Sequence, residues 1–134
     1  MGEEIFVDAN IFLEIFLDDS MADSCEKFLK SLNEDDKPFT SDFLIYSCLI
    51  AIERKHKNKD KLLDALRFFS SFSQLRILRP SIEDLYNAAS MMDKHNLDFD
   101  DSLVLSCMQK FGIRRLASLD RHFDKIKNIE IVFK

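Results

Sequence analysis

The sequence predicts an α/β fold: a parallel sheet covered by helices on both faces. Three observations carry that expectation. Short runs rich in branched and aromatic residues recur along the chain, IFV at 5–7, LRILRP at 75–80, RRLAS at 114–118 and IEIVF at 129–133. Longer segments with apolar residues at helical spacing stand between them. Carboxylates also sit at or just past the ends of two runs, Asp8 and Asp120. Alternating strands and helices build parallel sheets, and such sheets gather ligands outside the carboxyl ends of their strands.

IFV, unbroken by polar residues, reads as a buried strand that ends at Asp8. Asn10 is a candidate cap for the helix IFLEIFL. A second helix is expected over 21–32, where Ala22, Cys25, Phe28, Leu29 and Leu32 recur at helical spacing. Pro38 ends that pattern, and Phe39 and Thr40 suggest a short strand. A cap from Thr40, Ser41 or Asp42 then opens a helix reaching about 57. It is apolar almost all round from Phe43 to Ile52, so it lies deep in the core or at an interface.

RKHKNKDK, 54–61, reads as a charged break, and KLLDALRFFSSF as a further helix. After the strand closed by Pro80, Ser81 and Asp84 form an S-x-x-D pattern, close to a capping box, for a helix over 81–95. DSLVLSCMQKF is a helix with Gly112 as its stop. RRLAS, a short turn at 121–126 and a last strand complete the chain.

A length of 134 residues suits one domain, 1–134, able to bury a core without disulfides. Net charge is −5, which opposes a broad, sequence-blind grip on nucleic acid. It leaves room for an enzyme whose site carries its own cations. There are three cysteines and no C-x-x-C; Cys48 and Cys107 lie in apolar segments and read as core thiols, which fits a reducing cytoplasm. The acidic N-terminus is no signal peptide, and no apolar run is long enough for a membrane span. Two glycines in the whole chain leave no Walker or dinucleotide loop.

LDFDDSLVLS sets three carboxylates within four positions directly before a run of apolar residues. Asp98, Asp100 and Asp101 can each serve as helix N-terminal charges. A parallel sheet, however, brings Asp8, Asp101 and Asp120 to one edge, where a hard divalent cation would relieve their repulsion. Such an ion activates water and clamps a phosphodiester. His122, two residues from Asp120, is a further candidate for a catalytic role. Arg114, Arg115 and Arg121 flank Asp120 and are candidates to position a phosphate, or else solvated strand-edge residues. RKHKNKDK reads as a solvated turn more readily than as an RNA contact, and FFSSF as core or interface.

At these residues the chain resembles a family. FVDANIF is similar to the opening of PIN-domain ribonucleases, a strand ending in Asp with Asn two positions later. DFDDSLVLS resembles the family's third acidic segment, and LASLDRHFDKI its last. The segments stand in family order and cover nearly the whole chain. The resemblance implies a PIN-like three-layer α/β sandwich with a central parallel sheet of about four to five strands. It implies Mg²⁺- or Mn²⁺-dependent hydrolysis of RNA, in a small stand-alone protein like the VapC toxins, with an antitoxin partner and a homodimer. Asp8, Asp101 and Asp120 would be the metal-site carboxylates, with Asn10 and Ser118 in support. Asp101 is preferred to Asp100 because it directly precedes the matching S-L pair. Phe123 would pack, and Asp124 would be an outer acid.

One position departs from the family. Its second acid falls on Ser47, or on Tyr46 with a one-residue shift. Glu53 lies roughly 240° around the helix and about 9 Å along it from Ser47, and Asp42 about 140° around, so neither is an evident substitute. A weaker metal site, a water in the acid's place, or an inactive PIN-like binding or scaffold domain are the alternatives. A receiver-like phosphoacceptor fold also clusters aspartates, but it wants a central phosphoacceptor Asp at a strand end, which is missing here.

Overall fold

The computed structural model describes residues 2–133. The elements are β1 (Glu4–Val7), α1 (Ala9–Phe16), α2 (Ala22–Lys30), β2 (Lys37–Ser41), α3 (Asp42–His56), α4 (Lys59–Ser71), β3 (Arg76–Leu78), α5 (Ile82–His95), α6 (Phe99–Phe111), β4 (Arg115–Ala117), a 3₁₀ turn (Arg121–Lys125) and β5 (Glu130–Phe133). The strands form one parallel sheet in the order β3-β2-β1-β4-β5. The α/β sandwich expected from the sequence is thus the one observed, with five strands.

β1 is the central strand, which is why IFV carries no polar residue: both of its faces are covered. Phe6 stands beside Phe39 on β2 and Leu116 on β4, and all three face a cluster built largely from α5 and α6. Ile5, Val7 and Ala117 point the other way, onto Ile11, Phe12, Cys25, Cys48 and Phe69. Adjacent residues alternate between the two layers because strand side chains have a period of two.

Several local expectations hold for identifiable reasons. Ser81 Oγ accepts from the Asp84 N–H while Asp84 accepts from the Ser81 N–H, closing a full capping box on α5. Gly112 adopts φ 68° as the stop of α6, a conformation that costs glycine least. Phe68, Phe69 and Phe72 of FFSSF join Phe12 and Phe16 in edge-to-face contacts, so this run is core. The strand near Phe39 and Thr40 is present as β2, though Pro38 lies inside it and α2 already stops at Lys30.

Others are corrected. Asp8, not Asn10, caps α1: its Oδ1 accepts the Ala9 N–H at 2.7 Å. The charged break is far shorter than RKHKNKDK, because α3 runs to His56 and Asn58 already caps α4. Lys57 absorbs the reversal in a left-handed conformation. Of the two settings expected for α3, deep burial is not the one found: Tyr46 and Ile50 are exposed while Leu44, Cys48 and Ile52 are buried. α6 begins at Phe99, two residues earlier than expected, with Asp98 at the cap position.

The three cysteines are buried free thiols. Burial pushes the Cys48 thiol up to about 12 and those of Cys25 and Cys107 up to about 11, which makes them poor nucleophiles. No described helix is long and apolar enough to cross a membrane.

Candidate metal centre

The carboxyl ends of β1 and β4 lie side by side, and the Asp8 N–H donates to the Ala117 carbonyl at 2.9 Å. This is also where the order of the sheet reverses, since the chain builds β2 and β3 on one side of β1 and β4 and β5 on the other. Asp8 leaves β1 here, and Ser118 and Asp120 leave β4. α6 passes over the same edge and delivers Asp101 from its first turn.

A hydrogen-bonded lattice fixes these groups. Ser118 Oγ donates to Asp8 Oδ2 at 2.8 Å and accepts from the Asp120 N–H at 3.0 Å. Asn10 Nδ2 donates to Ser118 Oγ at 3.2 Å and approaches Asp8 Oδ2 at 3.4 Å, while Asn10 Oδ1 accepts from the Leu119 N–H at 3.1 Å. Asn10 and Ser118 therefore hold the two strand ends in register and orient Asp8. Asp120 Oδ1 accepts the His122 N–H at 2.8 Å, which starts the 3₁₀ turn and aims the carboxylate. Phe123 anchors that turn and is fully buried.

Of the two candidates at the head of α6, Asp101 is buried and Asp100 exposed. Asp100 accepts from the Asp101 N–H at 3.0 Å, a helix-start contact. Asp101 Oδ2 instead lies 3.1 Å from His122 Nδ1. His122 Nδ1 is also 3.1 Å from Asp120 Oδ1. One donor atom from each of Asp101, Asp120 and His122 falls within 4.8 Å of the others. Asp8 adjoins this trio: the charges of Asp101 and Asp120 reach its carboxyl.

Electrostatics follow from burial. Asp8 is pushed up to about 6, first by desolvation and further by Asp101 and Asp120, against the pull of the Ser118 and Ala9 hydrogen bonds. Desolvation also raises Asp101, which the His122 contact opposes. The hydrogen bond to Asp101 and the charge of Asp120 raise His122. Burial thus works against the charges of Asp8 and Asp101, and protons or a cation relieve it. One buried and one partly buried carboxylate with an imidazole are a donor set that a divalent cation accepts.

The groups outside this edge are as informative. Ser47, one of the two residues on which the resemblance would place a further acid, is exposed, and its Oγ donates back to the Phe43 carbonyl along α3. Arg115 pairs with Glu3 and Glu130 at the start of β4, away from Asp120, so it does not flank the site as the sequence suggested. Arg121 pairs with Asp124 at 3.3 Å, which turns Asp124 to that cation. Sequence reasoning weighed His122 but did not link it to Asp101, because their contact spans 21 positions. It missed Ser102, whose buried Oγ has no hydrogen-bond partner among the described residues and which no sequence signal marked.

A family model described as PIN domain matches residues 5–129. No curated protein matches the sequence. Among solved structures, the chain is similar to the sarcin-ricin loop cleaving toxin VapC20 of Mycobacterium tuberculosis, with TM-score 0.80, 18% identity, and coverage of 95% of this chain and 98% of that one. It is similar to VapBC2 of Rickettsia felis bound to a promoter DNA fragment, with TM-score 0.72, 18% identity and coverage of 95% and 96%. A toxin–antitoxin complex from Klebsiella pneumoniae aligns with TM-score 0.71, 14% identity and coverage of 97% and 98%.

Proposed function

We propose a function from one premise: the chain belongs to the PIN-domain family. On that premise the protein, acting as one domain over 1–134, is a divalent-metal-dependent ribonuclease. What supports this reading is the approach of Asp101 and Asp120 to one another at one sheet edge, beside a buried Asp8, with burial disfavouring the charges of Asp8 and Asp101. Asp101 and Asp120 would hold the ion, Mg²⁺ or Mn²⁺, with Asp8 behind them. When bound, the ion supplies Lewis-acid activation of water and neutralises charge at the phosphodiester. Ser118 and Asn10 keep Asp8 aimed, and the 3₁₀ turn keeps Asp120 aimed. The protein would act as the toxin of a toxin–antitoxin pair in the cytoplasm, as a homodimer. The similar toxin–antitoxin structures and the buried free thiols support that setting.

A second reading is a weak or inactive PIN domain kept as a binding scaffold. Ser47 favours it, because an exposed hydroxyl bonded to its own helix supplies no carboxylate. Incubating single-stranded RNA with Mg²⁺ or Mn²⁺ separates the two. Wild type is expected to cleave, chelation to stop it, and Asp101→Asn to lower kcat/KM by more than the roughly 10–100-fold typical of losing an outer-shell partner. Cleavage that survives the substitution or the chelator overturns the mechanism, and no cleavage with either ion favours the scaffold.

A further inference from the structure

We infer that His122 is a nitrogen ligand of the cation site, so that the site prefers Mn²⁺ to Mg²⁺. The inference rests on the metal-site reading and adds a donor that the acidic pattern of the sequence does not contain.

The argument is geometric. Two donors in adjacent positions of an octahedron, each about 2.1 Å from a divalent ion, lie about 3.0 Å apart. His122 Nδ1 is 3.1 Å from Asp101 Oδ2 and 3.1 Å from Asp120 Oδ1. Two edges of such a polyhedron are therefore already set by side chains reaching in from two elements. A hydrogen-bonding role alone accounts for only one of them. A single N–H at Nδ1 serves one acceptor well, and only the Asp101 approach has hydrogen-bond geometry. Shifting that proton to Nε2, on a side chain 64% exposed, leaves the Nδ1 lone pair facing both carboxylates. The backbone favours the same placement, because the His122 N–H is bound to Asp120 and holds the ring beside that carboxylate.

The chemistry then sets the preference. Imidazole suits transition-metal ions, whereas Mg²⁺ takes oxygen ligands and keeps its waters. Ser47 bonds back to α3, and the trio that does gather consists of two carboxylates and this imidazole. Nitrogen thus enters a site whose family pattern is all oxygen.

The test reads binding rather than turnover. Mn²⁺ is titrated into the full chain at pH 7.5 and followed by calorimetry and electron paramagnetic resonance. Wild type should bind Mn²⁺ about tenfold or more tighter than Mg²⁺ and show modulation from a directly coordinated imidazole ¹⁴N. In His122→Ala that modulation should vanish, and Mn²⁺ affinity should fall about tenfold with Mg²⁺ affinity little changed. His122→Asp should restore affinity without the Mn²⁺ preference. Because the side chain is exposed, both variants should fold, which a thermal melt without metal verifies. Mn²⁺ binding without ¹⁴N modulation, or tighter binding by His122→Ala, overturns the inference while leaving the metal site standing. Tighter binding would mean that the imidazolium occupies the cation's place. If wild type binds neither ion, the metal-site reading fails and this inference fails with it.

Discussion

Asp8 shows what the site costs the fold. Its carboxyl, ordinarily near 3.9 in an unfolded chain, is raised to about 6. Between those values the folded protein holds a proton that the unfolded chain has lost. Its contribution to stability therefore falls as pH rises from about 4 to about 6, and the penalty is complete above that. Two units correspond to at most about 3 kcal/mol. Asp8→Asn should accordingly stabilise the metal-free protein at pH 7.5 by about 1–3 kcal/mol in urea denaturation, while weakening Mn²⁺ binding by about 10–100-fold, as for a group behind the ligands. The oxygen of the new amide can go on accepting from Ser118 Oγ, so that link of the lattice need not break. A variant less stable than wild type would mean that the lattice around Asp8, not its charge, dominates. The chain's order made the candidate residues legible: Asp8 and Asp120 each follow a strand, and Asp101 stands in the first turn of an apolar helix. The imidazole was legible only as a neighbour of Asp120. Its contact with Asp101 depends on how α6 crosses the sheet edge, and local sequence carries no record of that crossing.

Helices reveal themselves through their ends. α5 is delimited by the Ser81–Asp84 box and by Asn96 in a left-handed conformation, and only the box had a pattern to read. Lys110 of α6 adds an ion pair to Asp84 at 3.0 Å, so the box also ties α5 to the helix that carries Asp101. Ser81→Ala should cost about 1 kcal/mol at pH 7 by chemical denaturation. The Ser81 backbone hydrogen bond and then the Lys110 contact hold Asp84 below the usual carboxylate range. Its contribution is present above the unfolded value and is lost as pH falls through the folded one. Asp84→Asn should therefore flatten part of the acid limb of a stability-against-pH curve, and an unchanged limb would reject that role. Strand existence was legible for the same local reason as these caps, since unbroken apolar runs announce buried strands. Strand order was not, because the pairing of β1 with both β2 and β4 joins segments about 30 and 110 residues apart. Nor was the α3–α4 corner, where charges at 54–61 resembled a loop but only Lys57 and Asn58 leave the helical path.

For the whole molecule, net charge decides how it meets RNA. At −5 the chain repels a polyanion at long range, and the cations nearest the site are already engaged. Arg121 pairs with Asp124, and Lys125 donates to the Asn96 carbonyl at 2.9 Å. Recognition would then rest on the bound cation and on local contacts at the sheet edge rather than on a basic surface. For single strands, the logarithm of affinity falls with the logarithm of salt at about −0.7 per neutralised phosphate. Two such contacts give about a sevenfold loss between 50 and 200 mM KCl, whereas six to ten on a duplex give about 10³–10⁵. With Mn²⁺ held saturating, kcat/KM on single-stranded RNA should fall less than about tenfold across that range. A thousandfold fall would require many more cationic contacts than the sheet edge offers, and would point to a basic surface elsewhere, a second copy or a partner chain completing the RNA site.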